Sequence, residues 1–105
     1  MENNDMFKII LESVEGKRLG QVSEENNAEY LQQDENEFKL LGDLSTCSYD
    51  VFSAKDMDCL IIELMNLQKI RLDSKEIKHL EDIINLAREC KKTEGSRMIF
   101  TPFDE

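Results

Sequence analysis

Apolar and polar positions alternate near the start of the chain. Phe7, Ile9 and Leu11 interleave with Lys8, Ile10 and Glu12 inside the run Met6 to Val14. A period of two over that length predicts a strand with one well-buried face. Glu15-Gly16-Lys17 supplies a turn, because glycine tolerates positive φ, and Leu19 to Val22 can return as a second strand. Ser23 to Asn36 is polar and reads as a surface loop with room for one helical turn around Ala28 to Gln33. Glu37 to Leu44 is apolar again and predicts a strand, bent or bulged at Gly42. After a turn at Ser45 to Ser48, Tyr49 to Phe52 predicts one more short strand.

The period changes at Ser53. Ser53-Ala54-Lys55-Asp56 has the S-x-x-D form of a capping box, in which hydroxyl and carboxylate reciprocally satisfy backbone donors at a helix start. Met57, Leu60, Ile61, Leu64 and Leu67 then recur at helical spacing to about Ile70. Cys59, Ile62 and Met65 add apolar groups on other sides of this helix. That distribution predicts a helix buried on most sides, lying between the sheet and a second helix or at a dimer contact. Asp73 can cap the second helix, with Glu76 at its positive end and Lys91-Lys92 at its negative end. Its apolar half runs through Ile77, Leu80, Ile83, Ile84, Leu86, Ala87 and Cys90. Gly95 fits the left-handed position that often ends helices, and Arg97 to Phe100 is a closing strand stopped by Pro102. The pattern predicts an α+β fold: a small, mostly antiparallel sheet, a two-helix hairpin packed on one face, and a closing C-terminal strand. Residues 1–5 read as a flexible N-terminus and 6–105 as a single domain.

Charge adds an asymmetry. The chain of 105 residues carries a net charge of -10. Residues 1–52 hold 12 acids against 4 bases, and residues 53–105 hold 11 against 9. No basic residue lies between Arg18 and Lys39, whereas Glu24, Glu25, Glu29, Asp34, Glu35 and Glu37 all do. Such a field repels nucleic acid and membrane surfaces and attracts a basic protein. The first residues lack a basic n-region, and no apolar run reaches membrane-spanning length. Cys47, Cys59 and Cys90 are odd in number and form no C-x-x-C pair, so they read as reduced thiols of a cytoplasmic protein.

Candidate chemistry is sparse. His79 sits at the rim of the apolar face of the second helix. It lies about 16 Å along the axis from Cys90, too far for a nucleophile–base pair. The carboxylates show no calcium-loop spacing, and the four glycines make no phosphate-binding loop. Catalytic, cofactor and metal sites are therefore all expected to be absent. The remaining candidate is a protein-binding surface made of Glu24, Glu25, Glu29, Tyr30, Asp34, Glu35 and Glu37, with Leu31 and Phe38 as further apolar anchors. A charge run is ordinarily a solvated face. Carboxylates rimming aromatic and aliphatic anchors, however, also make an interface suited to a basic partner.

Length, acidity, the helical hairpin and the closing Ile99-Phe100-Thr101-Pro102-Phe103-Asp104-Glu105 tail together resemble the small acidic immunity proteins of bacterial contact-dependent and polymorphic toxin systems. The resemblance is one of type rather than motif. It implies a non-enzymatic inhibitor that binds and neutralises a cognate basic toxin domain, with a nuclease favoured. The alternative is an adaptor or regulatory subunit that makes its contact through Cys59, Ile62 and Met65 of the first helix. Sequence leaves monomer and homodimer equally open.

Overall fold

The computed structural model describes residues 7–23, 28–34, 36–44, 48–71 and 73–102. Strand β1 (Lys8–Glu12) pairs antiparallel with β2 (Arg18–Ser23) on one side and with β4 (Arg97–Thr101) on the other. β3 (Asp50–Ser53) pairs antiparallel with β4, which gives the order β2-β1-β4-β3. The chain's first strand is thus central because the last one returns beside it. The expected α+β architecture is observed, including the closing strand.

Alternation divides the sheet into two faces. Ile9 and Leu11 of β1, Met98 and Phe100 of β4 and Phe52 of β3 point to the helices and are at most 8% exposed. The Phe100 ring meets Phe52 and Phe7 edge-on, with centroids 5.5 and 6.2 Å away. On the other face, Gln21, Ile10, Ile99 and Val51 lie in one cross-strand row. The first hairpin turns at Gly16, with φ at 89°, and Ser13 Oγ accepts from the N–H groups of Glu15 and Lys17. Leu11 faces Gly20 while Glu12 faces Arg18, so Leu19 is the extra residue of a bulge.

Short helix α1 spans Ala28–Leu31, and the long helices are α2 (Met57–Ile70) and α3 (Ser74–Lys92). The capping box forms as the sequence suggests, with Asp56 Oδ2 accepting from Ser53 N at 3.0 Å. One 3-10 turn, Ala54–Asp56, intervenes before α2 begins. Asp73 Oδ1 caps α3 by accepting from Lys75 N at 2.8 Å, and Gly95 takes φ of 80° just beyond that helix.

Two expectations are corrected. First, Glu37 to Leu44 is no strand. Phe38 N donates to Asp34 O and Gly42 N to Phe38 O, and Leu41–Asp43 is a 3-10 helix. Phe38, Leu41 and Leu44 recur every three residues and all are buried, a spacing that suits 3-10 turns rather than a strand. Second, α3 rather than α2 makes the close backbone approach to β1, β2 and β4, while α2 packs on α3. Gly20 is one close point of that approach: an added Cβ there would lie 2.7 Å from Leu86 Cδ1. Because α2 is not enclosed, Cys59, Ile62 and Met65 stay exposed.

Candidate protein interface

The sequence-predicted interface runs from Glu24 to Glu37, and the apolar side chains at Tyr30, Leu31 and the neighbouring Phe38 point inward. Tyr30, Leu31 and Phe38 are 3%, 0% and 6% exposed. The Tyr30 hydroxyl hydrogen-bonds His79 Nδ1 on α3, and the Arg71 guanidinium lies 5.6 Å from the centre of the Tyr30 ring. Tyr30 is therefore a core residue and not a surface anchor, which corrects its assignment to a partner contact. His79, only 4% exposed, is a fastening point for α1.

The acidic members fare differently. Asp34 and Glu37 are exposed, on a turn in which Asp34 O accepts from Glu37 N and Phe38 N, and Asp34 Oδ1 accepts from Asn36 N. Glu29 belongs to α1. Glu24, Glu25 and Glu35 lie outside the described residues. The structure thus brings Asp34 and Glu37 onto one exposed turn, with the adjacent aromatic residues holding that turn to the helices.

A residue that pattern reading passed over holds the same segment from α2. Glu63 is 7% exposed, and its carboxylate accepts from Leu40 N at 3.1 and 3.0 Å and from Leu41 N at 2.9 Å. Two backbone donors that a strand would spend on a neighbouring strand are satisfied by one acid. The sequence signal for this role is an acid within the buried stripe of α2, between Leu60 and Leu67.

The outward face of α2 is the second candidate surface. Ile62 is 58% exposed, Met65 42% and Ile70 62%. Cys59 joins them, its Sγ lying 3.5 Å from Glu63 Oε2. Local desolvation, then the hydrogen bond to Glu63, push the Cys59 thiol above its ordinary pKa. Burial does the same for Cys90, opposed by a hydrogen bond from Ser96. Neither is an activated thiolate. Cys47 lies outside the described residues.

The sheet's outer face carries Tyr49 and Val51, 59% and 53% exposed, beside the Glu12–Arg97 ion pair, which closes at 2.6 Å across β1 and β4. The fold also adds Lys55 and Arg97 to the Lys91-Lys92 pair around a concavity of about 420 Å³. A second concavity, about 630 Å³, touches His79 and is lined by Ser74, Lys75, Lys78 and Asp82. Among the described residues, no group of three or more His, Cys, Asp or Glu side chains could hold a metal ion. No helix among them is long and apolar enough to cross a membrane. Comparison of the chain with protein-family models, with curated proteins and with solved structures finds no match.

Proposed function

We propose that this chain is an immunity-type inhibitor of the cytoplasm that binds a basic toxin domain, most readily a nuclease, through the acidic segment of residues 24–37. The observation that carries this reading is the exposed Asp34–Glu37 turn, fixed from beneath by Tyr30, Phe38 and Glu63. Preorganised carboxylates steer a cationic partner and lose little entropy on binding. A basic protein covered at its cationic cleft can no longer approach nucleic acid.

The test combines charge reversal at Glu24, Glu25, Asp34 and Glu35 with stopped-flow association to whichever basic protein copurifies with the chain from its native cell. Slower association at low salt, with the difference shrinking at high salt, supports the proposal. Association unchanged by the four reversals removes the segment from the interface.

The exposure of Ile62 and Met65 favours a second reading, an adaptor that binds another protein through α2. Loss of partner capture on Ile62→Asp, with the acidic segment intact, would select it.

A further inference from the structure

We infer that the outward face of α2 is a homodimer contact, two copies packing antiparallel about a two-fold axis beside the Ile62–Met65 turn. The exposed positions of α2 are Asp58, Cys59, Ile62, Met65, Asn66, Lys69 and Ile70. At 100° per residue they fall within an arc of roughly 140°, a single continuous side of the helix. Four of the seven are apolar or thiol-bearing. Their exposure, up to 62% at Ile70, is what an amphipathic helix shows when one of two apolar sides has no cover within its own chain.

Charge decides the occupant. The chain carries -10, yet this face carries one acid, Asp58, and one base, Lys69. A second copy finds its own complement here. Asp58 and Lys69 are eleven residues apart, about 16 Å along the axis. Reversing one helix against the other sets each Asp58 opposite the Lys69 of the other copy, and the same register sets Ile62 over Met65 at the centre. A parallel pair would oppose Asp58 to Asp58. A two-fold contact requires this self-complementarity, in which residue i meets j and j meets i. Asp58 already engages Lys91 of its own chain through Oδ1, and the Asp58 side chain remains 72% exposed on this face.

A single helix pair falls below the ~1,200 Å² of a standard interface, and two copies of like net charge repel. The dimer is therefore expected to dissociate at roughly tens of micromolar. The contact uses none of the acidic residues assigned to toxin binding and stands independently of that reading.

Sedimentation equilibrium from about 10 µM to about 1 mM, at about 0.15 M salt, tests it. The weight-average mass should rise from 12.2 kDa toward twice that value. Ile62→Asp should remain monomeric and keep its melting temperature. Asp58→Lys should weaken self-association about tenfold, and adding Lys69→Asp to it should restore the association, which no change in the internal Lys91 contact could do. A wild-type chain that stays monomeric at the highest concentration overturns the proposal. So does an Ile62→Asp variant that still dimerises, or a charge-swapped pair that is not rescued. A monomeric chain that captures another protein only while Ile62 is intact overturns the dimer and keeps the adaptor reading.

Discussion

The carboxylate of Glu63 in the middle of α2 accepts the backbone N–H of Leu41 at 2.9 Å, twenty-two residues earlier in the chain. It also accepts from Leu40, so one buried acid ends two donors that have no strand to pair with. Glu63→Ala should cost about 2–4 kcal/mol in urea unfolding, because the buried Leu41 donor, at about 1–3 kcal/mol, and the part-buried Leu40 donor, at about 1 kcal/mol, are then left unpaired. Glu63→Gln keeps one acceptor oxygen and should lose less. Amide exchange at Leu40 and Leu41 should accelerate in both variants, with the amides of α2 unchanged. Equal protection in wild type and Glu63→Ala would show that other groups satisfy these donors.

Tyr30 separates a structural role from a binding role. Tyr30→Phe removes the hydroxyl bonded to His79 and should cost about 1–2 kcal/mol, measured by thermal or urea unfolding. Tyr30→Ala empties a core position and should cost about 3–5 kcal/mol. A stability unchanged by Tyr30→Ala, coupled to lost partner affinity, would instead return Tyr30 to the surface.

Gly95 has a φ of 80°, and an added Cβ there would lie 3.0 Å from Val14 Cβ. Gly95→Ala should destabilise by about 1–2 kcal/mol, since the left-handed conformation costs an L-residue roughly that much. The tip of the first hairpin, which carries Val14, must shift as well. The readout is the melting temperature. Gly16→Ala has the same backbone conflict at φ of 89° but meets open space, so it should cost less.

The thiols report burial through pH. Cys90 is 0% exposed and its pKa is raised by burial. A thiol raised in the folded chain leaves stability unaffected below the ordinary thiol pKa. Stability then falls as pH rises through the folded value, because the unfolded thiol ionises first. Cys90 should accordingly resist alkylation until the chain unfolds. Cys59, exposed but also raised by desolvation and Glu63, should react slowly near neutral pH and faster as pH climbs. Time-resolved alkylation read by mass spectrometry gives the order. Rapid labelling of Cys59 at neutral pH would contradict its protonated state.

Local signals determined a large part of this fold. The alternation in Phe7 to Leu11, the capping box at Ser53, the Asp73 cap and the Gly95 terminator each act over a few residues, and each gives the element they predict. The charge asymmetry is likewise a property of the chain alone. Three matters needed the tertiary structure. The segment Glu37 to Leu44 is apolar enough for a strand, and only the Glu63 carboxylate, supplied from a distant helix, makes a turn the cheaper way to satisfy its donors. Tyr30 sits among acids in sequence, yet lies in the core because His79 offers its hydroxyl a buried partner. The apolar surplus of α2 could have been enclosed. It is outward because α3 takes the place against the sheet, and α3 and the turn of residues 38–44 cover only the side of α2 that carries Leu60, Glu63, Leu64 and Leu67. Which face of an element is covered depends on what the fold places beside it, and that is fixed only when distant segments meet.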